Sequence, residues 1–274
     1  MTLNLISTGL NLKSPSLEAL ETIKKCKAVY LENYTVEFPY SIKQLEKTIK
    51  KKVIQLDREQ TESEDILKQA KKQNIALLVY GDALSATTHI SLILACKKNK
   101  IPYKIIHSES IFTVITETGL QLYKFGKTAS LPAWKEHYKP TSFADIIKQN
   151  QSIKAHTLLL VDIGLTSKQA LEQLEEVWGR EGFEEKDREF TFDNRRGGGR
   201  VLNINKSKSS SKKIKKTKSK IIICSKLGIK NSKVYYDTIN KLKKKKISQP
   251  FCIIIPSELH FVEGEALGML KQKS

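Results

Sequence analysis

The stretch Ile75–Leu94, IALLVYGDALSATTHISLIL, constrains this chain more than any other. Its opening, Ile75 to Tyr80, is apolar and flanked by polar sequence, which predicts a buried strand. Gly81-Asp82 breaks that strand, because glycine tolerates backbone angles that a strand residue does not. Ser85-Ala86-Thr87-Thr88 then supplies hydroxyls of the kind that cap a helix, ahead of the apolar run Ile90–Leu94. A strand, a glycine turn and a capped helix leave backbone N–H groups facing one crevice, where a carboxylate, hydroxyl or phosphate can be held. In open α/β sheets ligands sit in such crevices, at the carboxyl ends of strands. An ordinary strand-to-helix connection would read the same way.

The rest of the chain repeats this alternation. Leu3–Thr8 is a short apolar strand ending at Gly9, followed by a helix from Ser14 to Lys27, with Ser14 as its cap and Pro15 in its first turn. Strands at Ala28–Leu31 and Val53–Leu56 bracket a helix at Ser41–Lys52, and a helix at Glu62–Gln73 feeds the strand at Ile75. Tyr103–His107 is another strand, with Ser108-Glu109-Ser110 capping a short helix over Ile111–Thr118. Strands alternating with helices at this spacing predict a largely parallel sheet with helices on both faces.

The character changes at Gly119–Leu131, and the spacing places a domain boundary there, giving an N-terminal α/β domain at 1–118 and a C-terminal α/β domain at 119–274. In the second domain a helix is expected at Ser142–Asn150, a strand at His156–Ile163, and a helix at Ser167–Trp178 with Ala170, Leu171, Leu174, Val177 and Trp178 on one face. A strand at Ile221–Ser225, a helix at Ser232–Lys244, a strand at Phe251–Ile255 and a last helix from Pro256 to Gly268 complete it. Residues 179–220 contain RRGGGR and KSKSSSKKIKKTKSK, offer little to bury, and read as a disordered basic insertion.

Hydrophobic content of 39% over 274 residues is adequate for packed cores. No run approaches the roughly 18 apolar residues of a membrane span. The N-terminus, MTLNLIS, lacks the charged region and cleavage site of a signal peptide, so a soluble, cytoplasmic protein without membrane contact is expected. Cys26, Cys96, Cys224 and Cys252 form no Cys-x-x-Cys pair and sit in or beside apolar runs, predicting reduced, buried thiols. The histidines show no metal-ligand spacing, and no metal is expected. The net charge of +19 predicts attraction to polyanions such as RNA, ribosomes or an acidic protein surface. The lysine run has three readings: a solvated loop, an electrostatic dock for a protein or ribosome, or a non-specific RNA contact. It has no interleaved aromatics for base stacking.

Several stretches together resemble the diphthine synthases, methyltransferases of diphthamide biosynthesis. They are STGL at Ser7–Leu10, LENYT at Leu31–Thr35, GDALSATTH at Gly81–His89, HSESI at His107–Ile111, TGLQLYKFGK at Thr118–Lys127 and HTLLLVDI at His156–Ile163. Their order and spacing carry the resemblance from Met1 to about Val177, and it returns at Ile221. It implies a tetrapyrrole-methylase-like (class III methyltransferase) fold of two α/β domains, with S-adenosylmethionine (AdoMet) in the interdomain cleft and a homodimeric assembly. The implied substrate is elongation factor 2, on a histidine carrying a 3-amino-3-carboxypropyl group whose amino nitrogen is methylated to give diphthine. Matched position by position, the cofactor contacts are Leu10, Asp82, Ser85, Ser110 and Ile111, with Val161, Leu227 and Phe251 in the second domain.

There are departures from the family pattern. Ser7-Thr8-Gly9 stands where the family has a second glycine, Ala83 where it usually has proline, and Phe251 where relatives commonly have histidine. These bear on cofactor affinity rather than on the fold.

Methyl transfer from a sulfonium is an in-line displacement, so alignment and exclusion of water are the protein's tasks. A neutral amine is required, but no His–carboxylate pair is visible in the sequence, and no catalytic residue is assigned. Asp82 reads as a cofactor contact or a turn cap, and Ser110 as a contact, a helix cap or both. His89 and His107 read as structural histidines. Tyr123, Phe125 and Lys127 either shape a substrate entrance or form an interdomain strand. Two rival functions are a ribosomal RNA methyltransferase of the same fold and an inactive ribosome- or RNA-binding protein.

Overall fold

The structure, a computed structural model, describes residues 1–181 and 219–270, so most of the basic insertion lies outside the described residues. The chain divides into two compact units: Met1–Val114 with Leu227–Asn231, and the remaining described residues.

The first unit runs β1 (Leu3–Ser7), α1 (Leu17–Lys25), β2 (Ala28–Glu32), α2 (Ile42–Ile49), β3 (Ile54–Leu56), α3 (Arg58–Glu62), α4 (Glu64–Lys72), β4 (Ile75–Val79), α5 (Ile90–Lys98), β5 (Tyr103–Ile106) and α6 (Ile111–Val114). Its five strands are all parallel, in the order β3-β2-β4-β1-β5. Strand residues alternate between faces. Leu3, Leu5, Ile75, Leu77 and Val79 therefore pack with Ile66, Leu67 and Ala70 of α4 and with Leu92, Ile93 and Cys96 of α5. Ile6, Ala76 and Leu78 pack instead with Ala19 and Ile23 of α1 and Leu45 and Ile49 of α2. The chain steps one way across the sheet from β1 to β3 and back from β3 to β5. Right-handed crossovers then put the two helix sets on opposite faces. The connections leaving β1 and β4, central neighbours, depart in opposite directions, which makes their carboxyl ends the topological switch point.

Local chemistry moved several expected boundaries. Ser16, not Ser14, caps α1 by accepting from Ala19 N–H at 3.1 Å. Ser14 is used inside the turn after β1, where its Oγ accepts from Asn11 N–H. The helix expected at Glu62–Gln73 is α4, which starts at Glu64 because Ser63 Oγ caps it, and Ser63 separates it from the short α3, which was not expected. The hydroxyl run Ser85–Thr88 does not cap α5: His89 stands at the cap without a side-chain bond.

The second unit begins with 3-10 turns at Ile115–Thr118 and Leu122–Lys124, then β6 (Ala129–Leu131), α7 (Ser142–Ser152), β7 (Thr157–Val161), α8 (Ser167–Glu181), β8 (Lys220–Ser225), β9 (Lys233–Thr238), α9 (Ile239–Leu242), β10 (Phe251–Ile255) and α10 (Phe261–Leu270). The sheet order is β6-β7-β10-β8-β9, with β6 and β7 parallel and the other pairs antiparallel. The predicted apolar face of α8 (Ala170, Leu171, Leu174, Val177, Trp178) is buried in this unit's core. The helix expected at Ser232–Lys244 is a correction. Lys233–Thr238, KVYYDT, forms the edge strand β9, since its β-branched and aromatic residues favour extended chain, and only Ile239–Leu242 is helical. All four cysteines are free and buried. Among the described residues no helix is long and apolar enough to cross a membrane.

Candidate active site at the carboxyl edge of the parallel sheet

β1 and β4 each run into a glycine turn, and the two turns are tied to each other. Gly9 N–H donates to Gly81 O at 3.1 Å and Gly81 N–H to Gly9 O at 3.0 Å, while Thr8 N–H donates to Val79 O at 2.8 Å. Both glycines have positive φ, 66° and 71°, where a side chain is strained. Gly9 is also short of space: a Cβ there would lie 2.2 Å from Ser14 Cβ and 2.7 Å from the Glu109 carboxylate. Gly81 sits against Leu10, Glu109 and Ser110, its nearest neighbours lying 3.7–3.9 Å from where a Cβ would stand. The turns after β1, β4 and β5 therefore converge on one cradle.

Asp82 holds this cradle together. Its Oδ1 accepts from Leu84 N–H at 3.1 Å and Ser85 Oγ at 3.0 Å. Its Oδ2 lies 2.7 Å from His107 Nδ1 and accepts longer bonds, both 3.4 Å, from Ser7 Oγ and Ser108 N–H. Ser7 Oγ in turn accepts from Ala83 N–H at 2.9 Å. Burial alone would raise the Asp82 carboxyl, but the bonds from His107, Leu84, Ser85 and Ser108 outweigh it and hold the group below its usual range. An ionised carboxylate only accepts, so His107 Nδ1 carries the proton of their shared bond. The Asp82 side chain is thus a cap and cross-brace, and its oxygens are already engaged by the protein.

Glu109 braces the opposite pair of turns. Its Oε1 accepts from Leu10 N–H at 3.1 Å and its Oε2 from Ser108 Oγ at 2.8 Å. Burial pushes this carboxyl up, yet bonds from Ser14, Leu10 and Ser108 bring it below the ordinary value. Tyr80 Oη donates to Leu10 O at 3.1 Å. Ser110 is buried and its Oγ accepts from Phe112 N–H at 3.2 Å, so it starts α6 as its sequence suggests. Ile111 follows, half-buried.

The candidate residues separate by unit. Leu10, Asp82, Ser85, Ser110 and Ile111 all belong to the first unit, and Leu227, expected in the second domain, joins them there. Asn11 Nδ2 donates to Gly228 O at 2.9 Å, and a Cβ on Gly228 would be 3.0 Å from Leu10 Cβ, so this return loop lies directly on the first turn. Val161, half-buried at the end of β7, and Phe251, buried at the start of β10, belong to the second unit.

Sequence reading missed His107, Glu109, Asn11 and Gly228 as members of the site. Among the described residues two His–carboxylate pairs exist where none was visible: His107–Asp82, and a fully buried His156–Glu263 pair at 3.2 Å in the second unit. His107 is exposed, with 66% of its side chain accessible, whereas His89 is buried with Nδ1 3.1 Å from Ala83 O. Tyr123 is 82% exposed and Phe125 stacks edge-on against His156.

Comparison with known proteins matches residues 2–243 to the Tetrapyrrole (Corrin/Porphyrin) Methylases. The chain is 46% identical over 162 residues to a diphthine methyl ester synthase of Schizosaccharomyces pombe, covering 58% of this chain and 57% of that protein. It is 41% identical over 185 residues to a diphthine methyl ester synthase of Homo sapiens, covering 66% and 64%. The chain thus spans less than two thirds of the length of these curated relatives. A solved diphthine synthase, 27% identical, matches with a TM-score of 0.79 over 98% of this chain and 96% of that one.

Proposed function

The chain belongs to the tetrapyrrole (corrin/porphyrin) methylase family, and from that premise we propose that it is an AdoMet-dependent methyltransferase of diphthamide biosynthesis. Its substrate in this reading is elongation factor 2, on the histidine that carries the 3-amino-3-carboxypropyl group. The observation that carries the reading is the convergence of three strand-end turns on Gly81, with Leu10, Glu109 and Ser110 all about it. The relatives' names favour this substrate over ribosomal RNA.

The cradle fits the methyl donor on two counts. Gly81 leaves the backbone of its turn open to a ligand, its nearest neighbours lying 3.7 Å or more from where a Cβ would stand, while Gly9 lets Ser14 and Glu109 close against the first turn. The carboxyls of Asp82 and Glu109 are both held ionised at its base, which favours a cation such as a sulfonium. Leu10, Asp82, Ser85, Ser110, Ile111 and Leu227 are the donor-site candidates in the first unit, and Val161 and Phe251 those in the second. Asp82 and Glu109 act through their charge and by fixing the turns, because their oxygens are occupied by internal donors. When bound, the donor supplies an electrophilic methyl carbon on sulfur.

The acceptor needs a lone pair aligned with that methyl. An amine must first lose a proton; a carboxylate oxygen at neutral pH need not. The relatives' name specifies a methyl ester, so an oxygen acceptor belongs to the reading beside the amino nitrogen. His107 is the exposed imidazole at this edge, and Asp82 orients it through Nδ1, leaving Nε2 to take a proton. Homodimerisation and a cytoplasmic location complete the proposal. The test is a mass spectrum of the modified factor after incubation with this protein and AdoMet. Methyl groups confined to the modified histidine support the reading, and a methyl lost on mild alkaline treatment marks an ester. Methylation elsewhere or not at all rejects it.

A further inference from the structure

The β9 edge of the second sheet carries a feature that methyl transfer does not use. β9 is the outermost strand, and a cavity of about 270 Å³ opens along it, lined by Lys220, Tyr235, Tyr236, Lys241, Lys245 and Leu270 among others. Lys220 Nζ lies 5.7 Å from the Tyr236 ring centroid, and Lys245 Nζ 5.2 Å from that of Tyr235. Both distances are within cation–π range. Tyr235 packs on the core, so along the strand Tyr236 presents its ring on the opposite face.

The local charge is strongly positive. Between Lys233 and Lys246 the chain has six lysines and one acid, Asp237. Lys241 Nζ lies 3.4 Å from Asp237 Oδ1, while Lys244, Lys245 and Lys246 are exposed. Register concentrates these charges. Lys220 pairs with Thr238, the residue from which α9 departs, so the first residue of β8 and Lys241 of α9 meet at one end of the strand pair.

We propose that this edge binds single-stranded RNA without sequence preference. The ammonium groups of Lys220, Lys241 and Lys245 take backbone phosphates, and a base stacks on the Tyr236 ring. Ammonium groups alone would suit any polyanion; aromatic rings beside them are what a nucleobase uses and an acidic peptide does not. The lysine run lacks aromatics of its own, but β9 provides them from a segment that the sequence presented as helix.

The test is fluorescence anisotropy of a labelled oligouridylate with the full-length protein across a salt series. Wild type is expected to bind with strong salt dependence. Lys220→Gln, Lys241→Gln and Lys245→Gln combined should weaken binding at least about tenfold and flatten the slope of log K against log salt by about 2, at roughly 0.7 per phosphate contact. Tyr236→Ser should cost about tenfold for the oligonucleotide, Tyr236→Phe should restore it, and neither should change binding of inorganic polyphosphate. Thermal melts establish that the variants are folded. No RNA binding by wild type, unchanged binding by the triple variant, or equal sensitivity of polyphosphate to Tyr236→Ser would each overturn the proposal.

Discussion

His107 Nδ1 lies 2.7 Å from Asp82 Oδ2, although the two residues are 25 positions apart, and this bond joins the ends of β4 and β5. Asp82 is the buried member and His107 the exposed one. Replacing Asp82 with Asn keeps the shape but turns an amide N–H₂ toward donors on one side. We expect Asp82→Asn to destabilise the fold by about 2 kcal/mol, the scale of hydrogen bonds to a charged group. His107→Ala, at an exposed site, should cost less. Urea titrations of both variants check the order, and an equal loss would contradict it.

The two glycine turns predict a second contrast. Gly9→Ala meets Ser14 and Glu109 and is strained in φ, whereas Gly81→Ala is strained in φ with its nearest neighbour at 3.7 Å. Conformational strain costs about 1–2 kcal/mol, and overpacking adds about 1–3 kcal/mol. Chemical denaturation should therefore show Gly9→Ala losing about twice as much stability as Gly81→Ala.

Acid should unfold the protein through Glu263. This fully buried carboxylate accepts from Lys124 Nζ at 2.8 Å, Gln121 N–H at 2.8 Å, His260 N–H at 2.7 Å and His156 Nε2 at 3.2 Å. His156 Nδ1 accepts from Ser257 N–H, so Nε2 carries the proton. Burial works against ionisation, but these donors hold the carboxyl down to about 2, from an ordinary 4.5. A depressed carboxyl contributes stability in full above its unfolded value, and that contribution is lost as pH falls through the folded one. Melting temperature should decline between pH 4.5 and pH 2. Glu263→Gln should cost about 3–5 kcal/mol at neutral pH and remove that part of the acid sensitivity. A variant that melts like wild type at neutral pH would contradict the assignment.

Much of the parallel sheet was legible because its two central strands each pair an apolar run with a glycine terminator: Ile75–Val79 before Gly81, Leu3–Ser7 before Gly9. β9 was not legible, because Lys233 and the lysines after Thr238 surround VYYD with helix-compatible polarity and mask its alternation. The cradle was half legible. Leu10, Asp82 and Ser110 sit at strand ends and announce themselves, but a bond such as Asp82–His107 or Leu10–Glu109 is made by sheet order, which spacing does not encode. Leu227 was named through the resemblance but placed in the second domain, because only the fold brings the loop after β8 onto the turn after β1.

The cysteines give a simple check on packing. Burial pushes the Cys26 and Cys96 thiols up, and Cys224, opposite Cys252 in the sheet, is raised by its bond to that neighbour and by burial. A thiol reagent at neutral pH should modify none of the four rapidly, and all four after denaturation. Fast labelling of any one in the native protein would show that its surroundings are open.

If the paired glycine turns form the methyl-donor cradle, calorimetric titration of AdoMet into the protein reports it without reference to any acceptor. Wild type should give saturable binding, and Gly9→Ala, if still folded by circular dichroism, should bind at least about tenfold more weakly, a loss of about 1.4 kcal/mol or more. Absence of binding by wild type, or undiminished affinity in a folded Gly9→Ala variant, would contradict the account.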